Sequence, residues 1–252
     1  MPVSLFDVQC GFGGATPGCR DVLSADELVA EMARLDIARA LVRIVPSVLE
    51  SDGIGANARL YADCARFPER LLPCPIVIPN GGRDVPPEDE QLDEHIRRGA
   101  RAIVLRPKTD YWSLAPWASG ALLTALEERH LPTLCMMDEL SLDDVAAIAE
   151  RHATLPLIIA GVDYRQQRTL LPLLETFPNT YLSTGFNYCV HQGIEQCVAV
   201  VGAQRLLFGT GYPSSDWLMP AITYLMYADI STEDKQRIGM GNLERLLAEV
   251  QR

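Results

Sequence analysis

Eight short apolar runs, alternating with stretches of helical periodicity, constrain the fold of this 252-residue chain more than any other feature. The strand-like runs occupy residues 4–10, 39–45, 71–78, 102–105, 133–137, 155–160, 180–183 and 206–209. An open doubly wound sheet usually has about five or six strands, whereas eight strand–helix units in about 250 residues are typical of a (β/α)8 barrel. The sequence therefore predicts an α/β fold, a TIM-type barrel in one domain over residues 1–252, with extra C-terminal helices near residues 218–228 and 232–249.

Serine residues at the predicted helix starts support this order of elements. Ser24 is followed three residues later by a glutamate, which is the capping-box pattern, and Ser141 precedes another helical stretch. Ser214 or Ser215 is expected to cap the first of the C-terminal helices. Residues 11–18 hold four glycines and a proline, and they predict a long loop that lacks the G-x-G-x-x-G spacing of a dinucleotide-binding turn.

The charge balance limits the possible partners. The chain carries 33 acidic and 22 basic side chains, a formal net charge of −11, whereas nucleic acids and anionic membrane surfaces require a basic face. No apolar run approaches the ~20 residues of a membrane span, and the N-terminus has no basic segment before an apolar one. We therefore expect a cytoplasmic protein that binds neither nucleic acid nor membrane. The seven cysteines are scattered without a C-x-x-C pair, so reduced thiols are expected.

Four segments carry a family resemblance. Residues 28–42, 57–79, 206–213 and 242–247 read LVAEMARLDIARALV, NARLYADCARFPERLLPCPIVIP, LLFGTGYP and NLERLL. In this order they resemble the amidohydrolase-related family, the branch of the metal-dependent hydrolases that includes aminocarboxymuconate-semialdehyde decarboxylase and pyrone-dicarboxylate lactonase. The resemblance covers almost the whole chain. It implies a distorted (β/α)8 barrel that is cytosolic and often oligomeric, so a homo-oligomer is expected.

The same resemblance implies that the metal ligands have been replaced. The first strand of the family ends in D-x-H-x-H, whose two histidines bind a divalent metal, and this chain has Asp7, Gln9 and Gly11 there. The family's fifth and sixth strands each end in a metal-binding histidine, where this chain has Leu134-Cys135-Met136-Met137-Asp138 and Ile159-Ala160-Gly161-Val162. Gly211 stands where the eighth-strand motif G-S-D-x-P has its aspartate. Because a catalytic zinc site needs about three protein ligands, we expect no metal and no other cofactor.

Arg106 and Lys108 are the best remaining polar pair at a strand end. They follow the fourth strand, with Asp110, Tyr111 and Trp112 after them. Arg106 could bind a substrate carboxylate through both of its terminal nitrogens, with Lys108 beside it, or the segment could be an ion-paired loop. The residues leave both interpretations open.

Four further residues are candidate proton carriers. Asp138 and Asp163 follow the fifth and sixth strands, and they are either an acid and base or the polar residues that turns and helix caps prefer. His191 follows the seventh strand and is the one histidine expected at the catalytic face, as a general base or as a solvated side chain. Asp7, which matches the family's aspartate, is either catalytic or an anchor for the following loop.

Aromatic and amide side chains complete the predicted site. Tyr188, Tyr212 and Gln9 are expected to contact a substrate at the strand ends. Cys10 has no histidine beside it in sequence, so a buried and inert thiol is the expected state.

Two functional hypotheses follow from these residues. The first is a metal-independent hydrolase of lactonase type that acts on a small carboxylate-bearing substrate. The second is a catalytically inactive barrel that serves as a ligand-binding or partner subunit. The simultaneous replacement of all expected ligands favours the second, whereas the aromatic and polar strand-end residues favour a bound molecule.

Overall fold

The computed structural model describes residues 3–13, 24–45, 53–185, 187–213 and 218–251. The glycine-rich loop beyond residue 13 and the cap at Ser214 or Ser215 lie outside the described residues. None of the described helices combines the length and the apolar character that crossing a bilayer requires.

Eight parallel strands confirm the predicted barrel. They are β1 Leu5–Gly13, β2 Ile37–Val45, β3 Leu71–Pro73, β4 Ile103–Leu105, β5 Thr133–Met136, β6 Leu157–Ala160, β7 Thr180–Ser183 and β8 Leu206–Leu207. Each strand pairs with the next within two groups, β1 to β3 and β4 to β8. An isolated bridge between Ile76 and Val104 joins the two groups on one side.

Main-chain hydrogen bonds join β1 to the residues after β8 and complete the ring. The amide of Val8 donates to the carbonyl of Phe208 over 3.0 Å, and the amide of Gly11 donates to the carbonyl of Tyr212 over 2.9 Å. The amide of Gly211 donates in return to the carbonyl of Gln9 over 2.7 Å. The predicted strand–helix order therefore closes into a barrel.

The helices surround the strands in the expected alternation. They are α1 Ala25–Arg34, α2 Gly53–Cys64, α3 Glu88–Arg97, α4 Pro116–Glu128, α5 Leu142–Arg151, α6 Gln167–Thr176, α7 Gly193–Val201, α8 Leu218–Met226, α9 Thr232–Gln236 and α10 Asn242–Ala248. Ser24 forms the predicted capping box at the start of α1, and Ser141 caps α5 as predicted, also with a capping box.

The predicted helix over residues 232–249 is interrupted, which corrects that expectation. A π-helical turn, Arg237–Gly241, separates α9 from α10. The wider turn leaves the carbonyl of Ile238 free to accept from the amide of Phe208 over 2.9 Å. Gly239 also packs against the first strand, since a Cβ at this position would lie 2.6 Å from the carbonyl oxygen of Ser4.

Prolines shorten the third strand relative to the predicted run over residues 71–78. β3 ends at Pro73, and Pro75 follows two residues later. Neither residue has an amide proton, so the pairing with β4 is reduced to a single bridge and to the bond from the amide of Val104 to the carbonyl of Pro75.

Polar side chains are buried at one end of this otherwise apolar barrel. Every residue of β1 is buried. The buried polar residues at or near the carboxyl halves of the strands include Asp7, Gln9, Arg43, Arg106, Ser183, Thr184 and Thr210. Functional groups of TIM-type barrels lie at this end, so these residues define the candidate site.

Candidate ligand site at the carboxyl end of the barrel

Asp7 connects the first strand to the segment after the last strand. Its Oδ1 accepts from the backbone amides of Gln9 over 2.9 Å and of Thr210 over 3.0 Å, and its Oδ2 accepts from the Thr210 hydroxyl over 2.5 Å. Burial raises the pKa of the Asp7 carboxyl, although these hydrogen bonds oppose that shift. The contacts use both carboxyl oxygens, and they favour an anchoring role for Asp7.

Gln9 fills the space between the ends of three strands. Its Oε1 accepts a hydrogen bond from the hydroxyl of Ser183 over 2.8 Å. A Cβ at Gly185 would lie 2.5 Å from the same oxygen, and a Cβ at Gly209 would lie 2.9 Å from the Cβ of Gln9. A Cβ at Gly161 would lie 3.7 Å from the Gln9 Nε2. The amide therefore lies among glycines that leave room for it.

Two glycines at the family's ligand positions are constrained by their surroundings. A Cβ at Gly11 would lie 2.5 Å from the carbonyl oxygen of Arg43 and 3.0 Å from a methyl group of Val45, so β1 and β2 leave no room there for a histidine. Gly211 has φ 78°, a conformation that favours glycine.

The donors at these positions do not fit a divalent metal. Gln9 offers one neutral amide, and Gly11, Met136, Gly161 and Gly211 offer no imidazole or carboxylate. Among the described residues there is no group of three or more histidine, cysteine, aspartate or glutamate side chains that could hold a metal ion.

Arg106 is buried and partly paired. Its Nε and Nη2 donate to the two carboxylate oxygens of Asp110 over 3.0 and 2.6 Å, and both side chains are 5% exposed. This is the ion-paired arrangement that the sequence allows. The remaining nitrogen, Nη1, is buried without a hydrogen-bond partner. Arg106 therefore retains an unused donor at the end of β4.

Arg43 is a functional candidate that the sequence analysis missed. It lies on β2 opposite Gly11 and is only 9% exposed. Its Nε has no hydrogen-bond partner, and burial is the main reason why the pKa of its guanidinium is lowered. Asp138 opposes this shift and Arg106 adds to it, so both charged groups are near Arg43. The available signal was an arginine between Val42 and Ile44 in a buried strand.

Lys108 and Asp138 lie on two loops that are joined by hydrogen bonds. The Lys108 Nζ donates to the backbone carbonyl of Asp138 over 3.3 Å. The carboxylate of Glu139 accepts from the amides of Lys108 and Thr109 over 3.0 and 2.9 Å. Lys108 and Asp138 are both exposed, so the structure places them at the rim of the barrel end.

The remaining proton-carrier candidates are not brought together. Asp163 accepts from the amide of Arg165 over 2.8 Å and caps a short 3-10 turn. His191 is exposed. Within the described parts of the chain, no hydrogen bond or ion pair joins His191 to Asp138 or to Asp163.

The two predicted tyrosines are buried. Tyr188 is 1% exposed, and its hydroxyl donates to the Gln167 Oε1 over 2.5 Å and lies 3.1 Å from the Cys197 Sγ. This polar tip therefore contacts α6 and α7. Tyr212 is 7% exposed, and its amide donates to the hydroxyl of Thr210 over 3.2 Å.

The family of the chain follows from its sequence match to a family model. Residues 20–248 match the model of the amidohydrolase family. The chain belongs to the amidohydrolase family. Comparison with curated proteins finds no match to this chain.

Solved structures share the fold of this chain along nearly its full length. An uncharacterised TIM-barrel protein from Bordetella bronchiseptica has 17% identity and a TM-score of 0.75, with 98% of this chain and 99% of that chain covered. 2,6-Dihydroxybenzoate decarboxylase from Rhizobium has 15% identity and a TM-score of 0.73, with 98% of this chain and 99% of that chain covered. A third structure is a dihydroxybenzoic acid decarboxylase from a Polaromonas species, solved with bound manganese and 2-nitroresorcinol. It has 14% identity and a TM-score of 0.67, with 98% of this chain and 97% of that chain covered. These identities establish the shared fold alone.

Proposed function

We propose that this amidohydrolase-family barrel binds a small carboxylate-bearing molecule at the carboxyl end of its strands without using a divalent metal. One observation carries the proposal. The amide of Gln9 fills the space where the family places its first metal-binding histidine, hydrogen-bonded to Ser183 and surrounded by glycines. The closed space beside Gly11 supports the same conclusion for the second histidine.

The carboxylate class is supported by the charge at the site and by the structural neighbours. The Arg106 Nη1 is a buried cationic donor without a partner, and arginine binds carboxylates with paired hydrogen bonds. Among the neighbours, 2,6-dihydroxybenzoate decarboxylase has been solved with 2,6-dihydroxybenzoate bound. A screen of single-ring carboxylates is therefore the first choice for identifying the ligand.

Metal analysis together with ligand binding tests the proposal. After incubation with manganese or zinc and dialysis, we expect the protein to retain far less than one equivalent of metal per chain. We also expect carboxylates to bind with the same affinity with and without a chelator. Retention of stoichiometric metal, with ligand binding lost on chelation, would contradict the proposal.

A second candidate is metal-independent hydrolysis of a lactone or ester. The observation that favours it is the position of Asp138, an exposed carboxylate that acts electrostatically on the buried Arg43. A general base there would lie beside a carboxylate held by the arginines. Turnover that resists chelator and is lost in Asp138→Asn, but kept in Asp163→Asn, would select this candidate. His191→Ala tests the other predicted proton carrier in the same assay.

A further inference from the structure

Arg43 and Arg106 lie at the same end of the barrel on strands separated only by β3. Arg43 is on β2, in register with Gly11, and Arg106 directly follows the last residue of β4. Cys74, just beyond β3, interacts electrostatically with Arg43. Arg43 is 9% exposed and Arg106 is 4% exposed. They therefore form a buried arginine pair.

The charges of this pair are not balanced by its described surroundings. Asp110 neutralises one guanidinium through its two hydrogen bonds to Arg106. No described carboxylate forms an ion pair with Arg43, and Asp138 acts on its charge only from a longer distance. Burial raises the pKa of the Cys74 thiol, so that group stays neutral and provides no countercharge. Among the residues that the structure describes, one positive charge is left without an ion-pair partner.

Unused donors accompany this unbalanced charge. The Arg43 Nε and the Arg106 Nη1 are both buried without a hydrogen-bond partner. A buried donor without a partner destabilises the folded protein, and more strongly when it is charged. Two such donors on neighbouring arginines are explained by a ligand that is anionic and accepts from both.

A surface cleft reaches Gly53, which lies beside Arg106, although neither Arg43 nor Arg106 lines the cleft itself. It has a volume of about 600 Å³ and lies between α2 and α3, with Asn57, Ile76 and Ile78 among its lining residues. Gly53 also lines it, and a Cβ at Gly53 would lie 3.5 Å from the Arg106 Nη2. Pockets for small organic ligands have volumes of about 300–1,000 Å³, so a single-ring molecule fits.

We infer that Arg43 and Arg106 form a binding site for one carboxylate group and that the ligand reaches it through the cleft between α2 and α3. The inference rests on the proposed function, because it specifies how that function's ligand is held. The carboxylate accepts from the Arg43 Nε and the Arg106 Nη1, and its single negative charge matches the single unbalanced positive charge. The apolar part of the ligand lies against Ile76 and Ile78.

Calorimetric titration of the full chain with benzoate, benzamide and inorganic phosphate tests the site. We expect the unaltered protein to bind benzoate and to bind benzamide and phosphate at least ~10-fold more weakly, because benzamide has no charge and phosphate carries too much. Arg43→Gln is expected to weaken benzoate binding at least ~10-fold, and Arg43→Lys by an intermediate factor. Arg39→Gln is the matched control, because Arg39 is on the same strand but pairs with Glu244 at the surface.

Two further measurements guard against a folding defect and test the route. Because Arg43→Gln removes an unbalanced buried charge, its melting temperature without ligand is expected to equal or exceed that of the unaltered protein. Gly53→Val places a side chain between the cleft and Arg106, so it is expected to slow benzoate association. Ala58→Val, which also lines the cleft from α2 but is not the residue beside Arg106, is the control and is expected to leave association unchanged.

The outcomes separate this inference from the proposed function. Benzoate binding that is unchanged in Arg43→Gln, equal binding of benzamide, or tighter binding of phosphate would overturn the single-carboxylate site while leaving the proposed function intact. Unchanged association in Gly53→Val would overturn the route. Failure of the unaltered protein to bind benzoate or any other carboxylate would overturn the proposed function and this inference with it.

Discussion

Asp7 illustrates how one buried side chain can serve the fold at a position where the family motif suggests chemistry. Its two oxygens accept three hydrogen bonds, two of them from the segment that follows β8. These bonds lie next to Gln9 and hold the first strand against the last. The resemblance alone identifies Asp7 as a shared residue, whereas the contacts show what the residue does in this barrel.

A substitution of Asp7 should therefore destabilise the protein more when it removes the hydrogen-bond acceptor than when it keeps one. Asp7→Asn keeps an acceptor for the two amides and places an NH2 group against the Thr210 hydroxyl, so we expect a loss below about 1.5 kcal/mol in the free energy of unfolding. Asp7→Ala leaves the two buried amides without a partner and should cost about 2–4 kcal/mol. Urea unfolding of both variants measures the difference. Equal losses in the two variants would show that hydrogen bonding is not what Asp7 contributes.

At the scale of elements, helices α2 and α3 are joined by a buried aromatic contact. The Tyr61 hydroxyl lies 2.9 Å from the His95 Nδ1, and the guanidinium carbon of Arg98 lies 3.8 Å from the centre of the Tyr61 ring. Burial, reinforced by the charge of Arg98, lowers the pKa of His95 to about 4. The imidazole is therefore neutral at neutral pH.

This contact should make the protein less stable in mild acid. An unfolded histidine takes up a proton near pH 6.5 and the folded one near pH 4, so the unfolded state binds more protons between these values. Stability is then complete above about pH 6.5 and falls as the pH drops towards 4, by at most about 3 kcal/mol from this group.

Urea unfolding across that pH range, in His95→Asn and in the exposed control His191→Asn, isolates the effect. The slope with pH should flatten in His95→Asn alone. An unchanged slope in that variant would assign the acid sensitivity to other groups.

The sequence predicted those features of the helices and strands that depend on residues close together in the chain. The capping boxes of Ser24 and Ser141 depend on a partner three residues away, and both are present. The early end of β3 follows from Pro73 and Pro75 in the run itself, whereas the π-helical turn at Arg237–Gly241 depends on a contact with Phe208, which is distant in sequence. Such long-range pairing overrides local propensity, so the boundaries differed there.

The candidate site was predictable to a smaller extent for the same reason. Arg106 was identified because it follows a strand, and the structure adds its bond to Asp110. Arg43 was missed because an arginine in an apolar strand can point either inward or outward, and only the register with Gly11 shows which. The closed space at Gly11 likewise depends on how β1 packs against β2.

At the scale of the whole molecule, large aromatic side chains are exposed on the segment that follows β4. Tyr111 is 95% exposed and Trp117, in the first turn of α4, is 85% exposed. Large exposed aromatic side chains on one segment are typical of interaction surfaces. The expected homo-oligomer therefore has a candidate contact surface at this segment.

We expect Trp117→Glu to shift the protein towards monomer, because a charge would then be buried at the contact. Light scattering over a dilution series measures the molar mass. Tyr227→Glu is the control, since Tyr227 is 86% exposed at the end of α8. An unchanged mass in Trp117→Glu, or a monomer in the unaltered protein, would contradict this surface.

The bonds that close the barrel also determine when, during synthesis, the first strand can gain its second partner. Asp7 is bonded to Thr210 across 203 positions of the chain, and Val8 is bonded to Phe208. The first strand to leave the ribosome is therefore the last to gain both of its neighbours. Until residue 212 has emerged, one edge of β1 has no partner, and an open edge can pair with another nascent chain. Every newly made chain therefore exposes this unpaired edge of β1 for a time before the barrel closes.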